Sequence, residues 1–304
     1  MMKPTSVSTP QQHADYARSR PPVSPALRRR PGRRRATGQL ILHFVLIIAA
    51  LVAVGPLIWG IFASFKPFKE LMTSQTLLPS RWTLDSYRAV FGLSNLWSGF
   101  RNSLIVTAIV TSVSVFTSTC AGFVFAKYRF WGKEFLFLLL LATLMVPFMV
   151  ILIPLYLTVS RMGFANQLSG VIVTGFFSTF GIFMMRQFMS SIPYELLEAA
   201  RMDGASEWRT FVQIVIPLSA SPMAALGIFI FLGTWNDYLW PLVVLTSSDQ
   251  QTLPLVLAGL QGYYQTQYDY LIAAAILTTI PLMTAYIFGS KYMIRGIAMT
   301  GLKF

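Results

Sequence analysis

Six long apolar stretches limit this chain more than any other feature of its sequence. They lie at residues 40–65, 103–126, 135–159, 168–189, 219–245 and 270–290. Each is close to or above the ~20 residues that an α-helix needs to cross a bilayer. Backbone groups in lipid must be hydrogen-bonded within their own segment, and no stretch alternates as a barrel strand does. The sequence therefore predicts an all-α, polytopic membrane protein with six transmembrane helices.

Composition supports a membrane environment. The 304 residues are 55% hydrophobic and only 12% charged, whereas soluble domains have about 25% charged residues. Nine of the 24 Lys and Arg residues precede residue 36, among several prolines. We predict a disordered, Arg-rich cytoplasmic tail at 1–38 and a six-span domain at 39–304. The tail is expected to set topology and attract anionic lipid rather than bind nucleic acid.

The start of the chain also resembles a signal peptide, but its apolar run is too long. A signal core has about 7–15 apolar residues, so we interpret the run at 40–65 as a retained first span. Basic residues are concentrated in alternate loops, with nine, three, two and three in 1–39, 127–134, 190–217 and 291–304. The positive-inside rule then places both termini in the cytoplasm. The first outer segment, 66–102, is an exception with five basic residues.

The loop at 190–217 is the most informative polar segment. It reads SSIPYELLEAARMDGASEWRTFVQIVIP and holds four of the eleven acidic residues in the chain. Local physics predicts a first helix that Ser191 caps, with Pro193 in its first turn, where a missing N–H costs nothing. The Asp203-Gly204 pair is expected to end this helix, because glycine adopts the left-handed conformation readily.

A second helix is predicted after the first. Ser206 can cap it, and Pro217 is expected to stop it before the fifth span. On the first helix, Leu196, Ala199 and Ala200 lie at helical spacing and form a narrow, small-residue face. Such a face on a helix that projects from a membrane bundle suits docking into a groove of another protein.

The same loop resembles the EAA loop of ATP-binding-cassette (ABC) import permeases. The residues that carry the resemblance are Glu198, Ala199, Ala200, Asp203, Gly204, Ala205, Ile214 and Pro217. In that family the loop holds a coupling helix that docks in the ATPase subunit. The resemblance implies the type I ABC importer permease fold, and we call residues 190–217 the EAA loop.

Three further segments resemble the carbohydrate, or maltose-type, branch of these permeases: residues 234–241 (TWNDYLWP), 292–296 (YMIRG) and 101–103 (RNS). The resemblance implies a bacterial plasma-membrane location and a second permease subunit, expected to be a homologous heterodimer partner. It also implies two ATPase subunits, which bind ATP and Mg, and an extracytoplasmic solute-binding protein. No cofactor is expected in this chain itself. The last residues, 300–304, keep Gly and Lys but end in Phe, which departs from the family.

Asp237 is the one acidic residue well inside a predicted span, where an unpaired charge is costly. Two interpretations remain open. Asp237 either bonds polar neighbours and holds a bend, or faces the transport path and accepts sugar hydroxyls. The adjacent Trp235, Asn236 and Tyr238 are candidates for the same path, although the aromatic rings also suit an interfacial belt.

Several activities are disfavoured by what the sequence lacks. It has no G-x-x-x-x-G-K-[ST] phosphate loop. Its only histidines, His13 and His43, support neither a metal site nor a catalytic triad, and Cys120 is the single cysteine. A membrane enzyme is therefore disfavoured. The main alternative to an ATP-driven importer is an ion-coupled secondary transporter, which would need acids near the midplane. The substrate is open within sugars and sugar-like solutes, and the basic first outer segment could suit an anion.

Overall fold

The computed structural model describes the backbone of residues 33–93, 95–261 and 267–300, and the side chains of 39–93, 95–261 and 267–291. The helices are α1 (Arg33–Ala63), α2 (Phe68–Thr73), α3 (Asp85–Phe91), α4 (Leu96–Lys127), α5 (Lys133–Ala142), α6 (Phe148–Arg161), α7 (Leu168–Ile172), α8 (Thr179–Ser190), α9 (Tyr194–Met202), α10 (Glu207–Thr210), α11 (Ile216–Leu218), α12 (Ala220–Trp235), α13 (Leu239–Val244), α14 (Leu253–Gly259) and α15 (Tyr268–Thr300). Short 3₁₀ turns follow α5 and α7, and a π turn at Phe211–Val215 joins α10 to α11.

The chain divides into two units, Met1–Pro56 and Leu57–Phe304. In the first unit, residues 33–56 are helical and the apolar side chains from Leu40 to Val54 are largely exposed, as suits contact with lipid. Residues 33–38 are thus helical and not part of a tail, whereas the Arg-rich segment before residue 33 lies outside the described residues. The ending at 301–304 and the side chains of 292–296 also lie outside them.

The described residues contain four helices that are long and apolar enough to cross a membrane: Gln39–Ala63, Leu96–Lys127, Leu168–Ser190 and Tyr268–Lys291. Two further helix pairs pass the same criterion together but are bent, by 103° between Lys133–Met145 and Phe148–Arg161, and by 75° between Glu207–Leu218 and Ala220–Trp235. Counting each bent pair as one span gives six, which agrees with the six predicted.

The two bends change the predicted boundaries. The third span breaks at Pro147, which precedes α6 in an extended conformation because proline cannot continue the preceding helix. The fifth span is not a continuous helix over 219–245. It begins at Glu207, turns at Ser219 and ends at Trp235, so that residues 236–245 form a turn and the short helix α13.

Helix α4 lies at the centre of the second unit and packs closely against α8. A methyl group on Gly122 of α4 would overlap the Met185 side chain and the Arg186 backbone nitrogen. A methyl group on Gly181 of α8 would overlap the Ser118 side chain. Glycine therefore lets the two backbones approach on both sides of the contact. The pair forms a tightly packed support for the EAA loop, which follows α8 directly.

Candidate functional site

The EAA loop folds into the two predicted helices, α9 and α10, with a tight turn between them. Gly204 adopts a positive φ of 77° after Asp203 ends α9, as predicted. The Gly204 N–H donates to the Arg201 carbonyl at 3.0 Å, and the Ala205 N–H donates to the Ala200 carbonyl at 2.9 Å. These two bonds are the Schellman pattern of a helix end. The Asp203-Gly204-Ala205 sequence thus has a structural reason, which is to turn the chain sharply after α9.

Two of the predicted helix boundaries are wrong and one is confirmed. Ser191 does not cap α9. Its hydroxyl donates to the Phe188 carbonyl at 2.7 Å and so belongs to the end of α8, while Pro193 occupies the N-cap of α9. Ser206 caps α10 by accepting the Arg209 N–H at 3.3 Å.

Pro217 does not stop the second helix. It lies within α11, and the chain bends only at Ser219. The π turn at Phe211–Val215 precedes it and widens the hydrogen-bonding ring by one residue. Proline is tolerated in the first turn of α11 because the N–H that it lacks is not needed there.

The burial pattern of α9 divides the predicted small-residue face. Leu197 is 1% exposed and Ala200 is also buried, and both face the bundle. Leu196 and Ala199 are exposed instead. Ala200 therefore does not belong to a docking surface, because the helix uses it for packing against its own bundle.

The exposed surface of the loop combines acidic, apolar and basic side chains. Its acidic and apolar members include Glu195, Leu196, Glu198, Ala199, Met202, Asp203 and Trp208. Arg201, which pairs with Glu207, and Arg209 are exposed as well. Of the other residues that carry the family resemblance, Gly204 and Pro217 are exposed, while Ala205 and Ile214 are half-buried. A convex helix with exposed acidic, methyl and thioether groups suits a groove with basic and apolar walls.

Lys127 fastens the start of α9 to the end of α4. The side chain is 7% exposed, and its Nζ donates to the Ile192 carbonyl at 2.5 Å. The same ammonium group lies 4.4 Å from the centre of the Tyr194 ring. The Tyr194 hydroxyl in turn donates to the Ala126 carbonyl at 3.2 Å. A cation–π contact and two hydrogen bonds thus join the two helices, and we call this group the Lys127 clasp.

A second group holds the other end of the loop. Arg201 on α9 binds the Glu207 carboxylate on α10 through two nitrogens, at 2.8 and 3.2 Å. The Tyr128 hydroxyl, just after α4, donates to the same carboxylate. Burial raises the pKa of the Tyr128 phenol above its ordinary value, and the hydrogen bond to Glu207 raises it further. The phenol therefore remains a donor at neutral pH.

The opposite end of α4 holds a different loop. Asn102 donates from its Nδ2 to the carbonyls of Asp249 and Gln251, at 2.8 and 3.0 Å, and the Ser103 hydroxyl accepts the Leu253 N–H at 2.8 Å. The RNS segment singled out in the sequence is thus a clamp on the residues that lead into α14.

Asn166 completes this clamp. Its Oδ1 accepts the N–H groups of Thr246 and Ser247, both at 2.9 Å, and its Nδ2 donates to the Ser247 hydroxyl at 2.6 Å. The sequence analysis missed Asn166, as it missed Lys127, Tyr128 and Tyr194. Asn166 has a positive φ of 55°. In the sequence, the glycine three residues before it, Gly163, is the residue that indicates a turn here.

Asp237 lies in the turn at residues 236–238 and not inside a helix. It is half-buried, and its carboxylate interacts with the backbone N–H groups of Leu239 and Trp240, at the start of α13. Its own N–H donates to the Thr234 carbonyl at 3.3 Å. This arrangement favours the interpretation in which Asp237 holds a bend.

Trp235 is a packing residue and not an exposed member of a path. It is 2% exposed, stacks on Phe231 with ring centres 5.9 Å apart, and donates from its Nε1 to the Thr278 carbonyl at 3.2 Å. Asn236 and Tyr238 are exposed. The four predicted path residues therefore separate into a buried anchor, an acid that binds the start of α13, and two exposed side chains, of which Asn236 donates from its Nδ2 to the Leu232 carbonyl at 2.9 Å.

The described residues hold no cluster of three His, Cys, Asp or Glu side chains that could bind a metal ion. The remaining chemistry of the molecule is that of surfaces and clefts between helices.

Comparison with known proteins identifies the family to which this chain belongs. Residues 118–298 match the family described as binding-protein-dependent transport system inner membrane component. The chain is 37% identical to the arabinooligosaccharides transport system permease protein AraQ of Halalkalibacterium halodurans, over 86% of this chain and 97% of that protein. It is 31% identical to the diacetylchitobiose uptake system permease protein NgcG of Streptomyces coelicolor, over 81% of this chain and 83% of that protein.

A solved structure shares the fold. The crystal structure of a bacterial ABC transporter involved in the import of the acidic polysaccharide alginate aligns with a TM-score of 0.74 and 22% identity, covering 86% of this chain and 98% of that chain. The predicted fold is thereby confirmed. With its bent spans and EAA loop, this multi-pass membrane protein belongs to the family of binding-protein-dependent transport system inner membrane components, the permease subunits of ABC importers.

Proposed function

We propose that this permease imports a sugar or sugar-like solute, with the EAA loop as its contact to one of two ATPase subunits. The observation that carries the proposal is the form of α9. It presents Glu195, Glu198 and Ala199 outward, while Leu197 and Ala200 anchor it to the bundle. An anchored helix with a free convex face can be pushed by a partner without unfolding.

The partners follow from what this chain lacks. It holds no phosphate-loop motif, so ATP and Mg would be bound by the ATPase subunits and no cofactor by this chain. A second, homologous permease would complete the path across the bacterial plasma membrane. An extracytoplasmic binding protein would deliver the substrate. Both termini and the EAA loop would then lie in the cytoplasm, and the loop at 246–252 would lie outside.

Two of the relatives support a carbohydrate as the proposed substrate. The two relatives named above are described as permeases for arabinooligosaccharides and diacetylchitobiose.

Closure of the ATPases would move α9 and, through α8 and the Lys127 clasp, the bundle. The path would thereby switch between outward and inward access.

Two left-handed glycines provide a matched test of the docking role. Gly204 and Gly163 have φ values of 77° and 80°, and a methyl group on either meets no atom within 4 Å. Alanine at either position adds a similar strain of about 1–2 kcal/mol. We expect Gly204→Ala to reduce co-purification of the ATPase with the tagged full-length chain from its native host, and Gly163→Ala to leave it unchanged. Equal association in Gly204→Ala, Glu198→Ala and wild-type complexes would show that the EAA loop is not the docking site.

Energy coupling is tested in proteoliposomes that contain the purified complex and its binding protein. Radiolabelled arabinotriose and diacetylchitobiose serve as probes. Uptake should require ATP on the side of the EAA loop and should survive collapse of ion gradients by ionophores. Uptake without ATP that follows an imposed proton or sodium gradient would instead establish the ion-coupled alternative.

A further inference from the structure

The fourth span contains a backbone break deep in the membrane. Helix α7 and its 3₁₀ turn end at Gly175, and α8 begins at Thr179, so that residues 176–178 are not helical. The Phe176 carbonyl accepts the Thr117 hydroxyl at 2.6 Å, and the Ser178 hydroxyl accepts the Gly181 N–H at 3.0 Å. Non-helical backbone at membrane depth is tolerated only against protein or beside a water-filled cavity.

A cleft of about 320 Å³ opens at this break. Its walls come from three spans, with Ser114 on α4, Ser178 beside the break, and Gly233 and Thr234 on α12. Ser114 lies 18 residues into α4, which places it roughly 27 Å along a helix of about 48 Å. The cleft is thus near the middle of the membrane, about one helical turn from the predicted path residues at 235–238.

The cleft offers hydroxyl groups that are not fully used by the protein. Ser114 is 1% exposed, and its hydroxyl has no hydrogen-bond partner within the described part of the chain. The Ser178 hydroxyl accepts one bond but retains its own proton to donate. A buried hydroxyl without a partner loses about 1–3 kcal/mol relative to one in water. A ligand with hydroxyl groups would supply the missing bonds.

Aromatic rings flank these hydroxyls. Phe177, Phe180 and Phe229 line the cleft and are 73%, 46% and 48% exposed. The rings of Phe180 and Phe229 meet edge to face, 6.1 Å apart, so each is held at a fixed angle. Exposed rings beside free hydroxyls suit a sugar, whose faces carry C–H groups and whose edges carry hydroxyls.

The charge of the cleft indicates the class of sugar. No charged side chain is found among the described residues that line it. An anionic sugar would have to give up its hydration in this cleft without a compensating cation.

We propose that the cleft between Ser114, Phe177 and Thr234 is a binding site for a ring of a neutral oligosaccharide on its way through the membrane. The inference rests on the import function proposed above and adds the site and the charge of the ligand. In this site the phenylalanine rings pack on the sugar face, and the serine and threonine hydroxyls bond its edge.

Cysteine accessibility tests the site in the assembled complex. Both variants are made in a Cys120→Ala background. Thr234→Cys places a thiol in the cleft. Phe116→Cys is the control, because the Phe116 side chain is 49% exposed but lies about 200° around α4 from Ser114 and so points away from the cleft. A membrane-impermeant sulfonatoethyl thiosulfonate needs a hydrated thiolate. We expect it to label Thr234→Cys and to spare Phe116→Cys. The neutral oligosaccharide that the complex imports should slow the labelling.

Transport kinetics provide a second, independent measurement. Ser114→Ala should raise KM about fivefold, as expected for loss of one hydrogen bond to the ligand, with little change in kcat. Ser118→Ala is the matched control. Ser118 is equally buried, also lacks a partner in the described structure, and lies one turn along α4 outside the cleft. Its variant should transport with wild-type KM.

The outcomes separate this inference from the proposed function. ATP-dependent sugar uptake with an unlabelled Thr234→Cys would mean that lipid or the second permease fills the cleft, and would overturn the site alone. Labelling without protection, or equal KM in Ser114→Ala and Ser118→Ala, would also overturn it. Import restricted to an anionic sugar would overturn the neutral class. Absence of any ATP-dependent sugar uptake would instead refute the proposed function.

Discussion

Removing the Lys127 ammonium group should loosen α9 while leaving the rest of the fold in place. Lys127→Met keeps most of the side-chain volume but deletes the bond to the Ile192 carbonyl and the contact with the Tyr194 ring. A hydrogen bond from a charged donor contributes about 1.5–3 kcal/mol, and a cation–π contact contributes about 0.5–2 kcal/mol. The two together give about 2–5 kcal/mol, by which the free energy of opening α9 locally should fall.

Amide hydrogen exchange measured by mass spectrometry reports this opening directly. Each 1.4 kcal/mol corresponds to about a tenfold change in the opening equilibrium, so peptides covering 195–202 should exchange about 30-fold faster or more. Peptides from α12 should be unaffected, because opening at α9 is local and does not require the core to unfold.

Lys69→Met is the control for the change in charge. The Lys69 side chain lies in the segment between α1 and α3, far along the chain from the EAA loop, and the substitution is chemically the same. It should leave exchange at 195–202 at the wild-type rate. If Lys127→Met also exchanges within about twofold of wild type, the clasp contributes less than about 0.5 kcal/mol and the reasoning is refuted.

Three further perturbations have smaller or different effects. Glu207→Gln removes a half-exposed ion pair with Arg201 and should cost no more than about 1 kcal/mol, measured by thermal unfolding; a larger loss would mean that the pair is not governed by solvent screening. Asn102→Ala should expose the 246–252 loop to protease, since two carbonyls lose their donor; unchanged cleavage would argue against the clamp. The Ser80 hydroxyl and N–H hold the pKa of the Glu70 carboxyl below its ordinary value, so this contribution to stability is present above the unfolded pKa and is lost as pH falls through the folded one. Proteolysis of this segment should rise as the pH falls, and Ser80→Ala, which removes the hydroxyl but keeps the backbone N–H, should make that rise smaller; an unchanged rise would point to another group.

Local chemistry made much of the EAA loop predictable. The left-handed glycine, the helix end before it and the Ser206 cap each depend on neighbours within about five residues, so propensity and spacing identify them. The six spans are equally local, because the length of an apolar run is set by the bilayer. Ser191 was assigned to the wrong helix for the same reason, since a serine between two helices can serve either one.

Contacts between distant parts of the chain were not predictable. Lys127 bonds a carbonyl 65 residues away, and Asn166 bonds a serine 81 residues away. Nothing in the sequence near either residue specifies its partner. The same holds for Trp235, whose burial depends on how α12 packs against Phe100 and Thr278. Trp235 was a candidate for the transport path because it lies near an acid in the sequence, but its side chain is buried in the core of the protein.

Helix α4 carries a fastening at each end, and this has a consequence for how the molecule transmits displacement. Its 32 residues contain no proline, and the part between the Asn102 clamp and the Lys127 clasp spans about 38 Å. A helix of this kind resists stretching, so the distance between the 246–252 loop and the EAA loop is held constant. A force that tilts one of these loops therefore tilts the other as well, so α4 transmits a displacement at one membrane face to the opposite face.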